Sequence, residues 1–131
     1  MVMEYRISIT TGNVKHGGTN SRVHISLIGK PAGPNEPTPV SGDKRLNNEE
    51  DNFEKGKVDI FTIDCKDIGE LEYIHLQHDN AGRYPGWNVM RVEVQNVRTG
   101  ATWFADGIGW LALTEPPRVI SRTIPVTKIP G

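Results

Sequence analysis

The stretch Tyr5-Arg6-Ile7-Ser8-Ile9-Thr10-Thr11-Gly12 alternates apolar and polar residues until it reaches a glycine. Successive side chains of an extended chain point to opposite faces, so this run is a strand with one dry face and one wet face. A helix would need its apolar residues three or four apart. Thr11-Gly12-Asn13 ends the run with a turn signal. Downstream, Val23, Ile25 and Leu27 repeat the alternation and stop at Gly29. Residues Lys30 to Asn52 hold four prolines together with Gly33 and Gly42, and read as a long loop with a short edge strand near Lys44–Leu46. Strand character returns at Val58, Ile60, Phe61 and Ile63. A turn at Asp67-Ile68-Gly69 leads to Leu71–His78, with Ile74, Leu76 and His78 on one face.

A loop from Asp79 to Gly86 follows. Trp87 and Val89 then begin a strand, but Val92 and Val94 fall on the opposite parity, which predicts a bulge. Arg98-Thr99-Gly100 is a hairpin turn. Trp103-Phe104 and Trp110-Leu111 with Leu113 read as two separate short strands. Beyond Glu115-Pro116-Pro117 the pattern weakens, so a sandwich domain is drawn over 1–114, with 115–131 as a proline-containing extension, a linker or an edge strand. Seven or eight short strands with no sustained helical period predict an all-β antiparallel sandwich.

A chain of 131 residues fits one domain with a real core. Its net charge of −1 lacks the basic excess that nucleic-acid binding needs, so no nucleic-acid partner is expected. No apolar run approaches about 18 residues and no leader pattern opens the chain, which predicts a soluble, monomeric domain with no transmembrane segment. The same chain is also compatible with being part of a larger protein. Localisation is therefore unknown, with cytoplasmic or membrane-peripheral placement slightly favoured. The single cysteine, Cys65, excludes an internal disulfide and, following Phe61 and Ile63, reads as a small core residue.

Three loops concentrate oxygen donors: Gly18-Thr19-Asn20, Asp51-Asn52-Phe53-Glu54 and Asp79-Asn80. A hard cation such as Ca²⁺ takes six to eight oxygens, and the loops of a sandwich cluster at its two ends. Asp and Asn are also ordinary turn residues, so the residues alone leave an ion site and plain turns both open. An EF-hand is excluded, because a loop starting at Asp51 puts Phe53, Lys55 and Thr62 at ligand positions. His75 and His78 lie three apart, on opposite faces of a strand, and do not share a zinc ion. The chain has no Gly-x-Ser-x-Gly elbow and no phosphate-loop spacing, so catalysis finds no support. Glu49 and Glu50 form a solvated charge run that adds negative potential beside the second loop.

The order of these motifs resembles the PLAT (also called LH2) domain family, shared by lipoxygenases, polycystin-like channels, some lipases and clostridial alpha-toxin. The residues that carry the resemblance are the Tyr5–Gly12 strand, Gly17-Gly18-Thr19-Asn20 before Val23-His24-Ile25, and Asp51-Asn52-Phe53-Glu54 before Val58-Asp59. Ile68-Gly69-Glu70-Leu71, the run His78-Asp79-Asn80-Ala81-Gly82 ahead of Pro85 and Trp87, and Trp103-Phe104 ahead of Trp110-Leu111 complete it. The resemblance implies a C2-like sandwich of two four-stranded sheets, with Trp87, Trp103 and Trp110 in or near the core. It also implies a non-catalytic, calcium-binding module that docks a protein partner or anionic lipid headgroups. Gly18 and Thr19 would be main-chain ligands, and Asn20, Asp51, Asn52, Glu54 and Asp79 side-chain ligands, with Asn80 beside them. Asn20 stands where the family usually has Asp, which predicts weaker ion binding. The corresponding docking tips carry Lys15, His16, Arg83 and Tyr84. Two alternatives go with the same resemblance: a calcium-independent interaction domain, and the accessory domain of a lipoxygenase-type or lipase-type enzyme.

Overall fold

A computed structural model describes residues 2–48 and 51–130. The sequence reading of Glu49 and Glu50 lies outside the described residues. The strands are β1 (Val2–Thr11), β2 (Val23–Gly29), β3 (Lys44–Arg45), β4 (Val58–Lys66), β5 (Leu71–His78), β6 (Trp87–Asn96), β7 (Thr102–Leu111), β8 (Ser121–Pro125) and β9 (Thr127–Lys128). They build two antiparallel sheets, in the orders β4-β1-β6-β7-β9 and β3-β2-β5-β8.

The alternation that opened the sequence reading is what packs the two layers. Tyr5, Ile7 and Ile9 of β1 are fully buried, and so are Ile25, Leu27, Ile74 and Leu76 on the facing sheet. Each such side chain contributes about 1.5–3 kcal/mol by leaving water. Trp87 fills the end of this core, and its Nε1 donates to the hydroxyl of Thr11 at 3.0 Å. A tryptophan buried this way needs a partner for its N–H, and the last residue of β1 supplies it. Trp103 is also buried, whereas Trp110 is half-buried at the rim. Cys65 is buried on the inner face of β4, as expected.

Two expectations change. Residues 102–111 form one strand, not two. The register against β6 slips between Val89 and Arg91, at the parity change seen in sequence. Opposite that slip, Gly107 and Gly109 adopt left-handed conformations with φ of 60° and 84°. Glycine carries no Cβ penalty there, so the irregularity is absorbed as a bulge and the strand continues.

The second change is the strand count, five and four in place of four and four. Within 115–131, β8 pairs with β5, the chain passes Val126, and β9 pairs with β7 in the other sheet. Ile129 N continues this pairing by donating to the Thr102 carbonyl at 2.8 Å. The segment thus crosses from one layer to the other at a single residue. Prolines at 116, 117, 125 and 130 obscure the alternation that would have marked it.

Candidate functional site

The loops after β1, before β4 and between β5 and β6 meet at one end of the sandwich. Thr19 is where they join. Its N–H donates to the Phe53 carbonyl at 3.0 Å, and its hydroxyl donates to the Pro85 carbonyl at 2.7 Å. The same hydroxyl accepts from Ser21 N at 3.1 Å. Gly18 permits the approach of the first two loops, because a Cβ at that position would stand 2.7 Å from the Phe53 oxygen. Ser21 Oγ donates to the Ala81 carbonyl at 2.7 Å and ties in the third loop.

Phe53 sits in a left-handed conformation with φ of 60°. Its ring is buried against Phe61 and Trp87, with centroids at 5.4 and 4.9 Å. Its N–H donates to Oδ2 of buried Asp59 at 2.8 Å. The hydrophobic anchor and the buried acceptor together fix the backbone that carries Asp51, Asn52 and Glu54. A polar pocket of about 160 Å³ opens there, lined by Thr19, Asn20, Asp51 and Asn52. Asn52 Oδ1 is buried and has no hydrogen-bond partner among the described residues. An oxygen in that state has lost water without replacement, which is costly unless a donor or a cation meets it. Glu54 lies close enough to Asp51 to feel its charge. Burial first, then repulsion from Asp51, push its carboxyl above the ordinary carboxylate range.

The six expected donors of the first two loops thus divide between two adjoining clefts that share Thr19 and Asn20, one with Asp51 and Asn52 and the other with Gly18 and Glu54. Asp79 and Asn80 have other engagements. Asp79 Oδ1 accepts from Arg22 N at 2.9 Å and Ala81 N at 3.2 Å, and Oδ2 lies 3.4 Å from Arg22 Nη1. The hydrogen bond from Arg22 N, followed by the other donors, holds this carboxyl below its ordinary value. Asn80, left-handed with φ of 56°, donates its N–H to His78 Nδ1 at 3.0 Å. His78 Nε2 lies 2.7 Å from the Leu111 carbonyl, so Nε2 carries the proton and Nδ1 accepts. Burial holds His78 below its usual value, and the neutral ring latches the third loop to the end of β7. His75 points to the opposite face, where its Nδ1 lies 2.9 Å from Thr123 Oγ1.

Asp59, Arg22 and His78 are the positioning residues that sequence reasoning missed. Asp59 carried a signal, as the one acid on the inward face of β4 between Phe53 and Phe61. Arg22 carried none. Among the described residues no three or more His, Cys, Asp or Glu side chains cluster so as to hold a metal by themselves. Any ion here would have to draw on amide and main-chain oxygens as well as Asp51 and Glu54.

The four expected docking residues surround a second feature. The His16 and Tyr84 rings stack, with centroids 4.1 Å apart and planes 16° from parallel. Both residues have left-handed backbones, with φ of 59° and 53°. The Arg83 guanidinium lies 5.9 Å from the Tyr84 centroid. On one side, the pair borders the cleft that holds Gly18, Thr19, Asn20 and Glu54. On the other, it borders a mainly apolar groove of about 330 Å³, with Lys15, Pro85, Trp110 and Leu113.

A two-layered antiparallel sandwich with three loops meeting at one end is a C2-like fold. The chain belongs to the PLAT/LH2 domain family, whose model matches residues 5–112. It is 35% identical over 121 residues to mouse lipoxygenase homology domain-containing protein 1, covering 92% of this chain and 6% of that protein. It is 32% identical over 110 residues to mouse polycystin-1-like protein 3, covering 83% of this chain and 5% of that protein. The chain thus spans only a small fraction of the curated relatives it matches. The crystal structure of coral 8R-lipoxygenase, described as calcium-activated via a C2-like domain, superposes with a TM-score of 0.75 at 21% identity. That match covers 93% of this chain and 17% of the lipoxygenase, and it is a likeness of fold. No helix among the described residues is long and apolar enough to cross a membrane.

Proposed function

We propose that this domain is a non-catalytic docking module that binds Ca²⁺ at its three-loop end and presents the neighbouring surface to a partner. The observation that carries the proposal is the buried Asn52 oxygen, unpartnered among the described residues, in the pocket that Asp51 also lines, with Glu54 near enough to Asp51 to feel its charge. Two like charges and a buried bare oxygen are what a hard cation relieves. The coral lipoxygenase's calcium activation points the same way. Asp51, Asn52 and Glu54 would hold the ion with Asn20 and the main chain of Gly18 and Thr19. Asp79 and Asn80 join as the third loop's share, which requires Asp79 to exchange Arg22 for the ion. With few formal charges the affinity falls in the weak range of calcium modules, about 10⁻⁴–10⁻³ M. Lys15, His16, Arg83 and Tyr84 form the docking edge, with Lys15 and Arg83 each adding about 1 kcal/mol at an anionic surface.

Calorimetric titration with Ca²⁺ tests this reading. Binding heat is expected, with a melting-temperature rise that Asp51→Asn and Glu54→Gln remove. Absence of both heat and rise at millimolar calcium overturns it.

A second reading, a calcium-independent interaction domain, is favoured by Asp79, whose carboxyl is already satisfied by Arg22 and Ala81. Sedimentation with anionic vesicles or a partner protein that proceeds equally in chelator supports it. The same module would serve as the accessory domain of a lipoxygenase-type or lipase-type enzyme wherever it is joined to a catalytic part.

A further inference from the structure

The apolar groove beside the stacked His16–Tyr84 pair goes beyond a general docking edge. Its floor is built by close packing. Gly86 lies so near Ala112 that a Cβ on it would stand 2.8 Å from the alanine methyl carbon. Tyr84, Pro85, Trp110 and Leu113 line the groove. Two of the apolar side chains that line it remain exposed: Leu113 at 51% and Tyr84 at 57%. An apolar concavity with exposed walls and a few polar groups at its rim is the usual form of a binding pocket.

Two features decide what it fits. The first is shape. Tyr84 does not project as a free tip; its ring is stacked on His16, and both backbones are held in the left-handed region. For non-glycine residues that conformation is costly and persists where the surroundings impose it, often at ligand sites. The pair is therefore a fixed wall. A flat lipid surface cannot fill a hollow of about 330 Å³, whereas a protruding side chain can. The second is charge. Lys15 lines the groove beside the His16 ring, whose N–H is a further donor, and the Arg83 guanidinium, in the adjoining cleft, lies 5.9 Å from the Tyr84 centroid. Glu115 is the one acid among the described residues that line the groove.

We propose that this groove captures a bulky aliphatic or aromatic side chain of a protein partner, presented in an acidic peptide segment whose carboxylates meet Lys15, His16 and Arg83. The inference deepens the docking half of the function proposed above and is independent of its calcium half.

The test uses the intrinsic reporter in the wall. Trp87 and Trp103 are buried, so a change on groove occupancy arises from half-buried Trp110. Emission is followed while adding blocked pentapeptides, each with a central leucine or phenylalanine flanked by two acidic residues on each side. Lysine-flanked versions and phosphatidylserine-containing vesicles are run in parallel, each in chelator and in excess calcium. The acidic peptides should give a saturable change with a dissociation constant below about 1 mM, at least tenfold tighter than the lysine versions. Leu113→Lys and Lys15→Glu, both at exposed positions and so expected to leave the melting temperature unchanged, should each weaken binding about tenfold. No response to any acidic peptide up to millimolar concentration overturns the proposal. So does an equal response to lysine peptides, or a response to vesicles alone, which would assign the groove to lipid. Calcium heat measured on the same samples reads the ion site separately, so one reading can fail while the other stands.

Discussion

Replacing Asp59 with alanine should unfasten the loop that carries Asp51, Asn52 and Glu54. The Phe53 N–H donates to Asp59 Oδ2 at 2.8 Å, and both residues are buried, at 3% and 5% exposure. Removing the carboxylate leaves that N–H without an acceptor and out of reach of water. A buried hydrogen bond to a charged group is worth about 1.5–3 kcal/mol, and an orphaned donor costs a similar amount. For a chain of this size that is a fall in melting temperature of about 6–12 °C, measured by thermal or urea unfolding. Asp59→Asn keeps an oxygen that can accept from Phe53 and should lose less than half as much. The ranking of the two variants is the point of the experiment, because the ring packing of Phe53 is the same in both. Melting within about 2 °C of the parent for Asp59→Ala, or equal losses for the two variants, would refute the assignment of the hydrogen bond as the loop's fastening.

Other expectations follow from the core and the strands. Burial pushes the Tyr5 phenol above its ordinary value, against the hydrogen bond it accepts from Ile68 N at 3.0 Å. The folded state thus holds that proton more tightly than the unfolded chain, so this stability is complete below the unfolded value of about 10 and is lost as pH rises through the folded one. Tyr5→Phe should cost about 1 kcal/mol at neutral pH and flatten the alkaline decline seen in urea titrations at stepped pH. Burial also pushes the Cys65 thiol up, so reaction with a disulfide reagent should be slow in the native protein and accelerate in urea. Gly109→Ala meets no atom within 4 Å but forces an L side chain to φ of 84°, which should cost about 1–2 kcal/mol by denaturant unfolding.

Alternation of apolar residues in Tyr5–Ile9, Val23–Leu27 and Ile74–His78 determined the sandwich, because a strand with one buried face leaves that period in the chain. The parity change between Val89 and Val92 was legible for the same reason. Motif order placed the oxygen-bearing loops and the tip residues. What the residues could not carry was partnership across the fold. Nothing near Asp79 in sequence shows that Arg22, 57 positions away, engages its carboxylate, or that Thr19 reaches Pro85 across 66. The same holds for Asp59, whose inward parity was visible while its acceptance of the Phe53 N–H was not. The C-terminal strands were hidden by prolines that break the period while leaving edge pairing possible. Tertiary structure alone decided which oxygens gather, which are already engaged, and that His16 and Tyr84 stack into the wall of a groove. Each of these is a contact between segments distant in the chain, and the sequence pattern records only whether a residue faces in or out.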